Sequence, residues 1–476
     1  MMNWDQLICD TRLGLEHYHD DKGGVRSDFE RDYDRLVFSS PFRRLQNKTQ
    51  VFPLPGSIIV HNRLTHSLEV SCVGRSLANE VAKLLWPRYA GEPWAYKLRE
   101  MDDIVAAACL AHDLGNPPFG HSGEKTIGEF FAQGKGRFLQ ERLTDEQWQD
   151  LVHFEGNANS FRTLVHQFKG RRPGGFVMTY STIASIVKYP FASSAASKKG
   201  KFGFFQSEQA TYQRIADEMG IFCISKPGEP LRYVRHPLVY LVEAADDMGI
   251  ICLSKPGEPL RYVRHPLVYL VEAADDICYE IMDLEDAHKL KIITFEQASR
   301  LMLDFFDAET QQHILQRIES EQLTDKNEQI VYLRACVIGK LENECVNTFV
   351  AHEDEILNGT FTGSLIDHIS PLQREAYRRC AEVSVQKIYR SRPVLDVELS
   401  GYKIMETLMQ QMVEAVMHPD RYYSQQLIGR VSSQYHIDDP DLEVRLMAVI
   451  DYISGMTDVY ALDVYQKING ISLPII

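Results

Sequence analysis

The sequence predicts a mainly α-helical protein, because apolar residues recur at helical spacing along most of its 476 residues and strand signals are few. The Ala-rich segment 101–113 is almost wholly apolar, which predicts a buried helix. In the segment 65–85, the apolar positions that form one helical stripe are Leu68, Cys72, Leu77, Val81 and Leu84. The later segments with similar patterning are 296–320, 325–350, 372–389, 402–418 and 442–462.

One segment reads as β-structure. The sequence IFCISKPGEPLRYV at 221–234 has two short β-prone runs about a Pro-Gly turn, which predicts a small β-hairpin attached to the helical body.

Composition and charge exclude several classes of protein. With 44% hydrophobic and 25% charged residues the chain can bury a sizeable core, so whole-chain disorder is excluded. The 51 Lys and Arg residues against 66 Asp and Glu leave a net charge of −15, which argues against a protein whose main task is to coat nucleic acid. Nine cysteines without a C-x-x-C pair indicate reduced thiols, and no apolar run reaches about 18 residues. We therefore expect a cytoplasmic protein without a membrane span.

A 29-residue unit is repeated in tandem. Residues 219–247 recur as residues 248–276 with differences only at Phe222/Ile251 and Ile224/Leu253. Two copies cannot form a solenoid, which needs at least about three stacked units. Near-identity over one period indicates a recent tandem duplication or a sequence-assembly error, and we interpret the extra unit as an insertion.

Three segments combine residues that carry chemistry: HNRLTHS at 61–67, AHDLGNPPFGHSGE at 111–124 and EAADDICYEIMD at 272–283. His112 and Asp113 end the apolar helix predicted over 101–113, where an unpaired buried carboxylate costs several kcal/mol unless a metal offsets it. Each feature alone also has a structural explanation, such as a helix cap or a surface pair. Together, two imidazoles and two carboxylates from three helices form a mixed nitrogen and oxygen ligand set. Such a set suits Mn, Fe, Mg or Zn and is not a thiolate site.

At these residues the sequence resembles the HD-domain phosphohydrolases, and more closely the bacterial dGTPase and dGTPase-like enzymes. The stretches that carry the resemblance run in order from about residue 26 to 405 and include HNRLTHSLEV, LAHDLGNPPFGHSGE, FEGNANSFRTL, MTYSTIASIVKYP, RHPLVYLVEAADDICY and ELSGYKI. The resemblance implies an all-α HD core with additional carboxy-terminal helices and the small hairpin. It also implies three regions: an amino-terminal segment over 1–60, a catalytic core over 61–290 and a helical region over 291–476.

The resemblance implies one divalent metal per site, Mn, Mg or Fe, with His66, His112, Asp113 and Asp275 as its ligands. The choice of Asp275 follows the family pattern A-D-x-x-x-Tyr, which ends here at Tyr279. Only the second copy of the repeat continues into this pattern, so Asp246 is expected to be displaced.

His121 and Glu124 resemble the family's acid/base dyad, since an imidazole with an ordinary pKa of about 6.5 can exchange a proton at neutral pH. For Glu124 the alternative is a solvent-facing residue at a helix start. The implied reaction is hydrolysis of a dNTP, with dGTP among the substrates, to a deoxynucleoside and inorganic triphosphate. The positions that resemble substrate-binding residues are Gln50, Arg63, Asn116, Asn157, Lys188, Tyr189, Lys201, Tyr279 and Asp283.

Alternatives remain at several of these positions. Lys188 and Lys201 are equally explained as solvated lysines, Tyr279 as a core aromatic and Asp283 as a surface carboxylate. The resemblance also implies a homo-oligomer and raises an effector, either single-stranded DNA or a second nucleotide, for which the net charge of −15 gives no independent support. The alternative functions are another HD-family phosphomonoesterase or phosphodiesterase, or a catalytically silent oligomer that binds nucleotide or nucleic acid.

Overall fold

Helices form nearly all of the regular structure in the computed structural model, and the predicted all-α class is confirmed. The residues that the structure describes are 1–17, 26–52, 60–196, 200–223 and 262–472. Over these ranges, β-pairing is limited to isolated bridges. Within the same residues, no helix combines the length and apolar character that a membrane span requires.

The helices before the repeat are α1 (Trp4–Leu7), α2 (Asp28–Val37), α3 (Ser40–Arg44), α4 (Arg63–Tyr89), α5 (Met101–Ala111), α6 (Gly120–Ala132), α7 (Asp145–Val152), α8 (Gly156–Val165), α9 (Tyr180–Ser185) and α10 (Gln209–Glu218). The remaining helices, of which the first begins inside the second copy of the repeat, are α11 (Val268–Lys289), α12 (Phe295–Leu303), α13 (Ala308–Ser320), α14 (Lys326–Ala351), α15 (Glu353–Asn358), α16 (Pro371–Val383), α17 (Arg392–Met417), α18 (Tyr422–Ile428), α19 (Leu442–Ser454) and α20 (Asp458–Ile468). A π-helical turn, Ser384–Ile388, extends α16, and short 3₁₀ turns lie at Leu45–Asn47, Ala95–Glu100, Arg137–Arg142, Ser193–Ala195, Gln206–Glu208 and Ile366–His368.

Two of the predicted helices are interrupted. The segment 296–320 forms α12 and α13, because the Asp307 carboxylate accepts the Thr310 backbone N–H at 2.8 Å and starts a new helix. The segment 442–462 ends at Ser454 and resumes at α20, which Thr457 caps in the same way. Apolar periodicity alone did not reveal these caps.

Three long helices, α4, α11 and α14, form the centre of the larger hydrophobic core together with the shorter α5. α4 packs along α5 and α11, and α14 packs against both α4 and α11. The close approach of α4 to α5 is possible because α5 presents fully buried alanines, and Ser71 donates a hydrogen bond to the Ala106 carbonyl at 2.9 Å. This packing brings the start of α4, the end of α5 and the middle of α11 together.

A second hydrophobic core lies around α6, α7 and the carboxy-terminal helices α17 to α20. Asp458, at the start of α20, joins this core to the rest of the chain. Its carboxylate accepts the Thr49 N–H at 2.8 Å and the Phe119 N–H at 2.9 Å. The loop that leads into α6 is thereby fixed to the carboxy-terminal helices.

The hairpin predicted within one repeat copy is not supported. Residues 224–261, which include Asp246 and most of both predicted strands, lie outside the described residues. At their edges, Cys223 of the first copy forms an antiparallel bridge with Tyr262 of the second, and Val263 N–H donates to the Phe222 carbonyl at 3.3 Å. A hairpin closed within the first copy would place Tyr233 where Tyr262 lies, so the described pairing joins the two copies.

Candidate functional site

Three helices bring two histidines and an aspartate to one point. His66 lies in the first turn of α4, His112 directly follows α5, and Asp275 lies on α11. His66 Nε2 is 3.0 Å from Asp275 Oδ1, and His112 Nε2 is 3.5 Å from the same oxygen. One ligand atom from each residue lies within 4.8 Å of the other two, a spacing that a single metal ion can bridge.

His112 is oriented for metal binding by the end of its own helix. Its Nδ1 lies 2.6 Å from the Cys109 carbonyl oxygen, which can only accept, so Nδ1 carries the proton. The remaining Nε2 is buried and has no hydrogen-bond partner among the described residues. Leaving a buried polar atom unpartnered costs about 1–3 kcal/mol. A divalent metal would remove that cost, and two imidazoles with a carboxylate are a donor set that such metals accept.

Asp113 lies beside these three residues and is already hydrogen bonded. Its Oδ2 accepts from Arg63 Nη1 at 2.6 Å, and its Oδ1 accepts from the Asn116 side-chain amide. The same Oδ1 lies 3.6 Å from His112 Nε2. Arg63 and Asn116, both predicted to contact substrate, are therefore hydrogen bonded to Asp113, a predicted metal ligand.

The local charges favour a cation at this point. Burial lowers the pKa of His112, but the carboxylates of Asp113 and Asp275 outweigh it and raise that pKa to about 9. Burial raises the pKa of Asp275, yet His112 and His66 hold it well below its usual range. Both carboxylates thus remain ionised and attract positive charge, whether a proton or a metal.

His121 and Glu124 form a hydrogen-bonded pair in the first turn of α6. His121 Nδ1 lies 2.6 Å from Glu124 Oε2; the His121 side chain is 62% exposed, whereas that of Glu124 is 9% exposed. Although burial raises the pKa of Glu124, the hydrogen bond from His121 and the charge of Lys201 hold it below its usual value. An ionised Glu124 keeps the proton of His121 on Nδ1, which leaves Nε2 exposed for proton transfer. Glu124 therefore does not face solvent.

Gly156 allows this pair to approach the turn that follows Asp113. A Cβ at Gly156 would lie 2.0 Å from Asn116 Oδ1 and 2.5 Å from Glu124 Oε1. The Gly156 backbone N–H instead donates to Glu124 Oε1 at 2.8 Å. The glycine at the start of α8 is thus required for these groups to converge.

Two predicted substrate-binding lysines are paired with buried carboxylates. Lys201 Nζ lies 2.7 Å from Glu155 Oε1, which also accepts from the Asn157 side chain at 2.9 Å. Lys188 Nζ, which lies 5.9 Å from the Tyr189 ring centroid, is 2.8 Å from Glu272 Oε1. Neither lysine is merely solvated. The sequence analysis did not identify either carboxylate, although both lie in quoted family stretches.

A cluster of aromatic and acidic side chains adjoins the histidines. The Tyr279 ring lies edge-on to the His66 ring at 6.4 Å and 6.1 Å from the Tyr389 ring. Asp283 is 4% exposed and accepts a hydrogen bond from the Tyr389 hydroxyl at 2.9 Å. Burial raises the pKa of Asp283 well above its usual value, so Asp283 is not a surface carboxylate. Tyr389 was missed because no local motif links it to a residue 106 positions away.

Gln50 also carries an unsatisfied group. Its Oε1 is buried and has no hydrogen-bond partner among the residues that the structure describes. An amide oxygen in this state fits a ligand donor such as a hydroxyl group.

Comparisons with known proteins identify the family to which the chain is related. Residues 63–219 match the HD domain, and residues 368–467 match the phosphohydrolase-associated domain. A deoxyguanosinetriphosphate triphosphohydrolase-like protein of Pseudomonas aeruginosa is 33% identical over 99% of this chain and 100% of its own length. A protein of the same name from Synechocystis is 32% identical over the same shares. A deoxyguanosinetriphosphate triphosphohydrolase of Cronobacter sakazakii is 30% identical over 94% of this chain and 96% of its own.

Proposed function

The chain belongs to the family of deoxyguanosinetriphosphate triphosphohydrolase-like HD-domain proteins, and on this premise we propose that it hydrolyses dNTPs to deoxynucleosides and inorganic triphosphate. We include dGTP among the substrates. The proposed ligands of a divalent metal, Mn, Mg or Fe, are His66, His112, Asp113 and Asp275. The observation that carries the proposal is the convergence of one ligand atom each from His66, His112 and Asp275 within 4.8 Å of one another, where the buried His112 Nε2 has no hydrogen-bond partner among the described residues.

The proposed chemistry uses the metal ligands and the pair formed by His121 and Glu124. A divalent metal held by His66, His112, Asp113 and Asp275 would polarise an α-phosphate oxygen. Water attacks the α-phosphorus, and the bond from that phosphorus to the deoxyribose O5′ breaks. His121 transfers a proton at the scissile bond, where the departing O5′ needs one, while Glu124 fixes the orientation of the ring. Lys201, 3.9 Å from Glu124, adds positive charge beside the dyad.

We assign the substrate contacts to two sets of residues. The phosphate set consists of Arg63, Asn116, Asn157, Lys188, Tyr189 and Lys201. In support, Glu155 and Glu272 fix the ammonium groups of Lys201 and Lys188 in place, which lowers the entropy cost of binding a polyphosphate.

The sugar set consists of Gln50, Tyr279 and Asp283. A Tyr279 ring packed against C2′ leaves no room for a 2′-hydroxyl and so selects deoxyribose. Its position beside His66 and within reach of Tyr389 supports this role.

The test is a product analysis with a metal-ligand variant. The purified protein is incubated with dGTP and the other dNTPs in Mn or Mg, and products are resolved by anion-exchange chromatography. We expect deoxyguanosine and triphosphate, abolished by chelation and by His112→Ala, with metal content lost in that variant. His313→Ala, at a histidine 71% exposed on α13, is the matched control. Release of orthophosphate would favour a phosphomonoesterase, and bound metal without dNTP turnover would contradict the proposal.

We also propose that the protein is a homo-oligomer. The family resemblance implies this assembly, and Leu399 and Tyr422 in the carboxy-terminal helices, 71% and 79% exposed, are apolar side chains that a second copy could cover. Light scattering on the purified protein measures the mass, and a monomer at micromolar concentration would contradict this part of the proposal.

A further inference from the structure

A second cavity, which the proposed reaction does not use, adjoins the turn that follows Asp113. It has a volume of about 170 Å³ and is lined by Leu114, which directly follows Asp113, and by residues of α3, α8 and α19. Gln434 and Tyr435, which precede α19, form another wall, and the Gln434 carbonyl accepts the Lys169 N–H at 2.9 Å. The cavity therefore lies between the catalytic region and the carboxy-terminal helices.

Two guanidinium groups line this cavity without a carboxylate partner. Arg44, at the end of α3, and Arg171 form no ion pair within the described ranges of the chain. One carboxylate in the wall, Asp451, is already used, because both its oxygens accept from Arg162 at 2.8 Å. The wall thus carries positive charge that no neighbouring group neutralises.

Arg44 and Arg171 differ in this respect from Arg12 and Arg162, which are paired with carboxylates. Burial lowers the pKa of Arg44 and of Arg171, and the charge of Arg44 lowers that of Arg171 further. At Arg12 and Arg162, paired carboxylates outweigh burial and raise the pKa. A bound anion would supply to Arg44 and Arg171 the negative charge that carboxylates supply to Arg12 and Arg162.

The Arg171 side chain is held in place by aromatic rings. Its Cζ lies 4.7 Å from the Phe176 ring centroid and 5.5 Å from that of Phe168. These two neighbouring rings restrict the guanidinium, and the lower mobility reduces the ordering cost of binding an anion.

The cavity opens towards a larger groove. Ser40, Arg171 and Phe176 line both the cavity and an open groove of about 620 Å³, which also contains Arg31 and Arg35. The carboxylate in that groove, Asp34, is paired with Arg26. A molecule with an anionic end can therefore place that end in the cavity and the rest in the groove.

We propose that the cavity between Arg44 and Arg171 binds a phosphate group of a small molecule. Guanidinium groups bind phosphate oxygens through parallel N–H donors, and Thr163 and Gln434 line the same space with further polar groups. A volume of about 170 Å³ leaves room for a group of the size of phosphate or pyrophosphate. It is smaller than the roughly 300–1,000 Å³ of pockets that enclose whole ligands, so a larger phosphorylated molecule extends into the groove.

The test is calorimetric titration with inorganic pyrophosphate at constant ionic strength. We expect the wild-type protein to bind one pyrophosphate per chain at this site. Arg44→Gln and Arg171→Gln should each lower the affinity of that site at least tenfold, so that each variant binds one pyrophosphate fewer per chain. Arg392→Gln, at an arginine 92% exposed on α17, is the matched control and should bind as wild type does. Identical binding by all four proteins would overturn the proposal.

Two further measurements guard against misfolded variants and identify the source of the phosphate. Selenate soaked into wild-type crystals should give an anomalous peak between Arg44 and Arg171, and a peak confined to the metal site would overturn the proposal. The same titration is repeated with AMP and with phosphate. Tighter binding of AMP than of phosphate would assign the site to nucleotides, whereas equal affinity would assign it to free phosphate. In either case Arg171→Gln must abolish the binding. Since dNTP hydrolysis is measured separately, failure here leaves the proposed function untouched.

Discussion

At the residue scale, the pairing of an exposed His121 with a buried Glu124 separates proton transfer from metal binding. Because His121 pairs with Glu124 and is not a member of the group formed by His66, His112 and Asp275, we expect His121→Ala to lower kcat by about 10²- to 10⁴-fold while KM and metal content stay nearly constant. Steady-state kinetics with dGTP and metal analysis provide the measurement. A decrease smaller than threefold, or loss of metal, would contradict the assigned role, and His313→Ala is again the control.

Tyr279 provides a second test at this scale, because its ring lies between His66 and Tyr389. We expect Tyr279→Leu to raise the ratio of kcat/KM for GTP to that for dGTP at least tenfold, since the smaller side chain admits a 2′-hydroxyl. Tyr389→Phe keeps its ring but loses the hydrogen bond to Asp283, so it should raise KM for dGTP without changing this ratio. An unchanged ratio in Tyr279→Leu would assign Tyr279 to the core instead.

The residue contacts that the sequence could predict are the local ones. His121 and Glu124 are three positions apart on one helix face, and the A-D-x-x-x-Tyr spacing places Tyr279 one turn from Asp275. The partners that the sequence did not predict are distant in the chain. Lys201 finds Glu155 across 46 positions, because two loops fold against α8, and no periodicity encodes that contact.

At the element scale, the contact between α17 and the start of α6 positions the dyad. Phe119 precedes α6 with a left-handed backbone, φ 61°, and its ring packs on Gly401 of α17. A Cβ at Gly401 would lie 2.6 Å from Phe119 Cγ, so the ring would have to move and α6 with it. We expect Gly401→Ala to destabilise the protein by about 1–3 kcal/mol through overpacking and to lower kcat.

Gly339→Ala is the matched control for that contact. Gly339 lies within α14, and an added Cβ there would meet no atom within 4 Å. The substitution should stabilise the protein by about 0.5–1 kcal/mol, because alanine loses less backbone entropy in a helix than glycine does. Denaturant unfolding compares the two variants. Equal stabilisation by both would show that the Phe119 contact does not position α6.

The bounds of the elements show what apolar patterning can and cannot predict. The core helices α4 and α5 and the long α14 follow the predicted segments within a few residues, because their burial is continuous. The helix predicted over 402–418 begins earlier in the structure, at Arg392. Apolar patterning missed its first turns because they expose Leu395 and Leu399 and carry no apolar stripe. Patterning therefore locates buried helices better than exposed ends of helices.

At the scale of the whole molecule, the repeat divides its roles between the two copies. Cys223 comes from the first copy, whereas its bridge partner Tyr262 and Asp275 come from the second. The bridge between Cys223 and Tyr262 brings these ends together, so the segment between them is not needed to connect the site. The sequence predicted that Asp275 belongs to the site from its downstream tyrosine, but the bridge between copies depends on tertiary packing that the sequence does not show.

Removing one unit tests this arrangement on the whole chain. Deleting residues 226–254 joins Ser225 to Lys255 and restores a single IFCISKPGEPLRYV segment ahead of Asp275. Because every described contact of His66, His112 and Asp275 is retained, we expect the 447-residue protein to bind metal and hydrolyse dGTP within about threefold of wild type, with unchanged or higher thermal stability. In the intact chain, Asp246→Asn should leave metal binding unchanged, whereas Asp275→Asn should abolish it. If the deletion unfolds the protein, or if Asp246→Asn removes the metal, then the first copy contributes to the site and the division of roles is wrong.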